Sequence, residues 1–349
     1  MTKKLTIHLV TWNGAKYVPY LFESLRKQTY RDWKLYIWDN ASGDGMLDIM
    51  KEEVKSLHVP YEIISNKENI GFAGGHNALY KKTDGEYFLP LNQDMYLTPT
   101  CLEEMVAYMD ANKEVSVVSP RLMRWDFQNI IEGNERAACT NQIDALGLKV
   151  FRNRRMIEQH TQYLWNDIKK QFSSRDLAVF GVSGAFPLYR RTAIDDIAFA
   201  DGTFFDESYH SYKEDVDLAY RLRLAGHSAM VLLKVVAYHD RSAAGPKHMG
   251  DTRAYKNKKE HSSWVKNNSY KNHLMTLYKN EYWQNMVLDF PWIKWYEMKK
   301  FYYFLFFDRA VLKGLKEIWT LRKELKEKRK YIISKRRLSW KEMRETYSL

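Results

Sequence analysis

The hydrophobic pattern of the first hundred residues alternates between two periods. LTIHLVTW (5–12) has the short apolar run of a buried strand, and AKYVPYLFESLRKQT (15–29) places its apolar residues at helical spacing. DWKLYIWDN (32–40) reads as a second strand, SGDG as a turn and GMLDIMKEEVKS (45–56) as a second helix. The strand YEIISN, a glycine-rich turn, a helix through Leu79 and the strand EYFLPLN complete the series. Such alternation predicts an α/β fold, Rossmann-like, with a mostly parallel central sheet covered by helices on both faces. From about Ser119 to Phe180 the chain is less regular and rich in Arg, Asn and Gln, which suits loops crossing one face. The pattern tightens again through VFGVSGAFPLYRR, a helix over KEDVDLAYRLRLAG and the strand SAMVLLKVVAYHD. After His239 a polar linker precedes a helical tail, and no internal repeat or low-complexity tract is present.

In parallel sheets of this kind the ligand sits beyond the carboxyl ends of the strands. The polar motifs fall there: TWNG after the first strand, DNASGDG after the second, NIGFAGG after the third and NQD after the fourth. The apolar run FLPL ends abruptly at Asn92-Gln93-Asp94. A carboxylate at that place suits a divalent cation, since Mg²⁺ and Mn²⁺ favour hard oxygen ligands, but Asp also begins turns and caps helices. Asp39 and Asn40 end the second strand, where a carboxylate can accept bonds from a nucleobase or a ribose; the same residues also make an ordinary turn. The three glycines of NIGFAGG allow close backbone approach at a helix start, yet the motif matches neither common phosphate-binding fingerprint. Glu214, Asp215 and Asp217 lie at a helix start, either as a dipole-favoured acidic turn or with Asp215 as a general base. His239 closes a strand and gains meaning only if it shares a site with Asp94.

The chain has 349 residues, a hydrophobic fraction of 45% and a net charge of +12. That composition indicates a globular protein with a large core. From Phe290 to Leu338 fifteen Lys or Arg face five Asp or Glu, an excess of ten, so the main domain is close to neutral. It is therefore not a general polyanion binder, and no nucleic-acid recognition motif accompanies the basic tail. Two cysteines, Cys101 and Cys139, exclude a disulfide scaffold and fit a reducing compartment. The N-terminal apolar segment is a strand's length and lacks the features of a signal peptide.

Taken in order, TWNG, DNASGDG, NIGFAGGHN, LNQD, VSGAF, YKEDVDLAYRLRLAG and AYHD resemble the family 2 glycosyltransferases of the GT-A fold over about residues 5 to 245. Bacterial rhamnosyltransferase-like members that build cell-surface polysaccharides look most similar. The resemblance implies a nucleotide-sugar donor, dTDP-rhamnose or a UDP-sugar, and transfer with inversion to a glycan or lipid-linked acceptor. It implies nucleotide contacts from Thr11 and Asn13, a base-binding Asp39 beside Asn40, and a pocket lined by Asn69, Gly71, Gly75 and Asn77. Asp94 corresponds to the last aspartate of a D-x-D metal motif, with His239 completing a Mg²⁺ or Mn²⁺ site. Asn92 stands where that motif has its first aspartate, which leaves the site one carboxylate short. Asp215 matches the catalytic base, with Glu214 and Gly184 as supporting residues. The implied organisation is a catalytic domain over 1–245, with a nucleotide-sugar half of about 1–118 and an acceptor half of about 119–245. Residues 246–349 form the linker and a basic amphipathic tail.

Two other functions share parts of this pattern. A nucleotidyltransferase would carry a basic glycine-rich loop after the first strand, and TWNGAKY has a single glycine. A catalytically silent scaffold would not need Asp94, Asp215 and His239 together. The tail, which runs from WIKWYEMKKFYYFLFF into LRKELKEKRKYIISKRR, lacks a spanning apolar stretch. Its aromatics and lysines are expected at the anionic, cytoplasmic face of the cell membrane. The other possibility is a helix pair docked on the body or forming a homodimer.

Overall fold

The structure, a computed structural model, describes residues 3–131, 134–240 and 262–348. The expected linker therefore lies almost wholly outside the described residues. Each early segment forms the predicted element: β1 (Leu5–Thr11), α1 (Val18–Arg26), β2 (Trp33–Asp39), α2 (Met46–Glu53), β3 (Tyr61–Ser65), α3 (Gly71–Lys82) and β4 (Tyr87–Leu91). β1 pairs in parallel with β2 and β4, and β2 with β3. Alternate residues divide between two cores, as a pleat requires. Leu5, Ile7, Leu9, Leu89 and Leu91 pack toward α1, α2 and α4 (Cys101–Ala111), while Phe88 faces Ala73 and Tyr80 of α3.

The expectation of loops from 119 to 180 is corrected by the structure. β6 (Val115–Trp125) runs through its beginning and β7 (Cys139–Ala145) pairs with it, followed by β8 (Leu148–Val150), β9 (Met156–Glu158), α5 (Trp165–Ile168) and β10 (Asp176–Val179). The polar residues that suggested loops find partners inside: the Arg121 guanidinium stacks over Trp165 at 4.0 Å. β11 (Leu188–Arg190) then inserts antiparallel between β4 and β6. α6 (Arg191–Ile197), α7 (Glu214–Leu224) and β12 (Ser228–His239) follow, and β12 pairs in parallel with β6 and antiparallel with β5 (Met95–Leu97). Where Pro120 lacks an N–H the β6–β12 register shifts, between Leu232 and Val236. The ten-stranded sheet has the path β10-β12-β6-β11-β4-β1-β2-β3. β1, β2, β3, β4, β6 and β12 run one way, so the sheet is mixed but mostly parallel in direction.

The tail comprises α8 (Ser263–Asn280), α9 (Trp283–Leu288), α10 (Phe290–Phe307), α11 (Lys313–Thr320), α12 (Arg322–Lys335) and α13 (Trp340–Glu345). It docks on the body. The Asn272 side chain on α8 donates to the carbonyls of Tyr209, Ser211 and Tyr212. Lys279 reaches Asp206 and, at 2.9 Å, Asp217, with all three side chains fully buried. Arg154, also fully buried, meets Glu281 at 2.8 Å and Asp289 at 2.9 Å. The strongly basic α12, expected in a membrane interface, instead buries Leu325 and Ile332 and sends Lys328 to Asp206 at 2.6 Å. Lys279, Lys328 and Arg337 of the tail are thus matched to acids of the body, Asp206, Asp217 and Asp196. Among the described residues no helix is long and apolar enough to cross a membrane.

Candidate active site

The loops after β1, β2 and β4 are stitched together at one end of the sheet. Thr11 and Asp39 are register partners, and the Thr11 hydroxyl donates to Asp39 Oδ1 at 3.1 Å. Asp39 Oδ2 accepts from the Ser42 N–H at 3.1 Å. Asn13, at φ 47, accepts the Gly43 N–H on its side-chain oxygen at 2.8 Å and donates its own N–H to Ser42. Asp39 is buried beneath this turn, with both carboxylate oxygens engaged. Gln93, which sequence reasoning left without a role, closes the third loop. Its amide accepts the Trp12 N–H at 2.9 Å and donates to the Trp12 carbonyl at 3.1 Å.

Asn40 ties these loops to the start of α3. Its side chain donates to the Gly71 carbonyl and accepts from Trp38 Nε1 and the Ile70 N–H. Asn69 accepts the Gly71 N–H at 2.8 Å. Gly71 has φ +81, and a Cβ there would stand 2.6 Å from the His210 carbonyl oxygen, so glycine is required on two counts. Gly75 and Asn77 have partners inside the protein. A Cβ on Gly75 would meet Val10 at 2.8 Å, which makes this glycine the close contact of α3 with the sheet. The buried Asn77 amide accepts from the Phe204 and Phe205 N–H groups and donates to the Phe205 carbonyl and Glu207. With four bonds made inside the protein, it pins the 204–207 loop and has no capacity left for a nucleotide.

Asp94 and His239 come together as expected. His239 is the register partner of Met95, and its Nε2 lies 3.3 Å from Asp94 Oδ1. Its Nδ1 bonds Asp144 Oδ2 at 2.9 Å, on β7. Nothing in the sequence around Asp144 signalled this, because the contact spans 95 positions and depends on β7 pairing beside β6. Burial alone would lower the His239 pKa, but Asp94 and Asp144 outweigh it and raise it to about 10. A protonated ring offsets part of the charge of the two carboxylates. The donor set fits a divalent cation: a carboxylate, and an imidazole whose second nitrogen is fixed by another carboxylate. Cation binding at Nε2 would displace the proton. Among the described residues no three His, Cys, Asp or Glu side chains are grouped to hold a metal by themselves. Asp94 and His239 would need donor phosphates and water to complete the shell, as is usual for Mg²⁺.

Asn92 links this corner to the next, its N–H donating to the Ala185 carbonyl at 3.0 Å. One residue earlier, the Gly184 N–H donates to Asp215 Oδ2 at 3.1 Å. A Cβ on Gly184 would lie 3.1 Å from the Asp215 Cβ. Asp215 Oδ1 also accepts the Val216 N–H at 2.8 Å, at the first turn of α7. Of the three acids in that turn, Asp215 alone is half-buried. Asp217 is held by Arg221 at 3.0 Å and by Lys279. Glu214 is buried, and desolvation together with the Asp215 charge pushes its pKa up to about 8. The geometry therefore leaves Asp215 as the acid of this turn open to a substrate.

Comparison with known proteins bears on this arrangement. The family model described as glycosyl transferase family 2 matches residues 6–198. EpsE of Bacillus subtilis, named as a glycosyltransferase, is 27% identical over 123 residues, 35% of this chain and 44% of EpsE. The poly(ribitol-phosphate) beta-N-acetylglucosaminyltransferase TarS of Staphylococcus aureus is 26% identical over 110 residues, 31% of this chain and 19% of TarS. The match thus spans less than half the length of either relative. The crystal structure of GalNAc-T7 with UDP, GalNAc and Mn²⁺ aligns with a TM-score of 0.57 at 11% identity, over 80% of this chain and 48% of that one, a likeness of fold. With the matched family model covering more than half of its residues, the chain belongs to glycosyl transferase family 2.

Proposed function

We propose that the protein transfers a sugar, with inversion, from a nucleoside diphosphate sugar to a hydroxyl of a glycan or lipid-linked acceptor in cell-surface polysaccharide synthesis, at the cytoplasmic face of the membrane. dTDP-rhamnose and UDP-sugars are the favoured donors. The observation that carries this reading is the junction of two chemistries. The Asp94–His239 pair is joined through Asn92, Ala185 and Gly184 to the half-open Asp215. Asp215 takes the proton of the acceptor hydroxyl as that oxygen attacks the anomeric carbon opposite the departing diphosphate. The Gly184 N–H orients the carboxylate for that transfer. Asp94 and His239 Nε2 would hold Mg²⁺ or Mn²⁺, which supplies charge neutralisation of the leaving diphosphate. The strand-end loops carrying Thr11, Asn13 and Asp39 would receive the nucleoside, and Asn69 and Gly71 would border it at the start of α3. Support also comes from the glycosyltransferase names of EpsE and TarS, and from UDP and Mn²⁺ bound to GalNAc-T7.

The test is thermal stabilisation by UDP, dTDP and GDP, each with and without Mn²⁺, followed by transfer assays on Asp215→Asn. One nucleotide raising the melting temperature in a metal-dependent way, with transfer lost but donor binding kept in Asp215→Asn, is the expected result. Full biological activity in Asp215→Asn would overturn the catalytic reading in favour of a scaffold.

A further inference from the structure

Helix α10 turns one side to the body and the other to solvent. Ile293 and Phe304 are buried, and on the same side Glu297 accepts from His273 Nε2 at 2.7 Å and pairs with Lys300. The opposite face carries Trp292, Trp295, Tyr302 and Phe306, a stripe at helical spacing. Trp292, Trp295 and Phe306 are 60%, 63% and 69% exposed, and Trp283 on the preceding α9 is 67% exposed. Rings this large and this exposed, set side by side, are what interaction faces carry and what a solvated surface avoids. Tryptophan in particular suits a boundary that is apolar on one side and wet on the other. The charged residues exposed on α10 are Lys294 and Lys299, whereas its glutamate is turned inward.

We propose that this face of α9 and α10 rests on an anionic lipid surface, with the rings at the boundary of headgroups and acyl chains and the lysines at lipid phosphates. The charge pattern selects lipid over a second copy of the chain, since a self-complementary contact would bring the same lysines toward one another. The basic helix α12 presents no comparable ring face: Leu325 and Ile332 are buried, and Lys328 and, at its end, Arg336 are engaged with the body and with α8. The position suits a lipid-carried acceptor. α10 is tied to α8 through Glu297 and His273, and α8 to the Asp215-bearing α7 through Asn280 and Asp217.

The experiment is co-sedimentation of the full chain with vesicles of phosphatidylglycerol and phosphatidylcholine, and with phosphatidylcholine alone. The protein is expected to pellet with the anionic vesicles and to be released by salt. Trp292→Ser/Trp295→Ser/Phe306→Ser should bind about tenfold or more weakly at an unchanged melting temperature. Lys294→Glu should weaken binding to anionic vesicles by a smaller factor. Three results would overturn the proposal: no pelleting with either vesicle, undiminished binding by the triple variant, or a lipid-free dimer that the triple variant dissolves. No donor sugar enters the assay, so its outcome is independent of the transfer chemistry.

Discussion

At the scale of single residues, the site rests on side chains whose partners are far away in the chain. Asp144 holds His239 by Nδ1 and leaves Nε2 toward Asp94. Second partners of this kind typically change metal affinity by about 10–100-fold when removed. Asp144→Asn is expected to weaken Mn²⁺ binding within that range and to spare metal-free nucleotide binding, as read by thermal-shift titration. Gly184→Ala puts a methyl group against Asp215. A displaced base lowers kcat while leaving donor KM nearly constant, by roughly tenfold or more; an unchanged kcat would show that the carboxylate does not need its present position. His76 offers a separate test. It is buried against Phe72 and Phe205 with no hydrogen-bond partner for either ring nitrogen, and burial depresses its pKa to about 3. The unfolded chain binds a proton near pH 6.5 and the folded chain does not, so stability is full above 6.5 and falls as the pH drops toward 3. At pH 5 the loss is about 2 kcal/mol relative to pH 7. His76→Leu should reduce that slope in urea denaturation measured at the two pH values, leaving the share of the other buried imidazoles, His8 and His273, which burial also depresses.

At the scale of elements, α7 is held in place by the tail as much as by the sheet. Its N-terminal turn presents Asp215, and Asp217 in the same turn pairs with Arg221 of the same helix and with Lys279 on α8. A buried acid that loses its cation is left uncompensated. Lys279→Met is therefore expected to cost about 3–5 kcal/mol in chemical denaturation. The amphipathic period of α7 was legible in the sequence, as was the acidic start that named Asp215. Which of its three acids stays open was not, because that depends on α8, Gly184 and the burial of Glu214. The same holds for α3: the glycines of NIGFAGG were readable as a place of close approach, and the neighbours that Gly75 approaches are Val10 and Trp38. A glycine signals that something comes near. What comes near is a matter of packing.

At the scale of the whole molecule, the catalytic body and the tail form a joint core. Phe180, Val216, Tyr220 and Leu224 cluster with Leu277, Ile332, Met343 and Tyr347. A chain ending at residue 261 would expose this cluster together with Asp206, Asp217 and Arg154, and is expected to lose cooperative unfolding and solubility. A soluble truncated form with a single sharp transition would show that the body folds without its tail.

Local chemistry determined a good deal by itself. Period-two and period-3.6 patterns, with turn residues between them, are properties of adjacent residues, so the early strands and helices, the polar strand ends and the family resemblance were all present in the sequence. The tertiary structure alone decided the rest. β11 entered the middle of the sheet, Gln93 reached across to Trp12, and Asp144 joined the site from a distant strand. Asn77 turned inward, and the basic helix α12 docked while α10 kept its rings outward. Each of these depends on which surfaces meet when the sheet closes, and pairings between residues far apart in the chain leave no periodic trace along it.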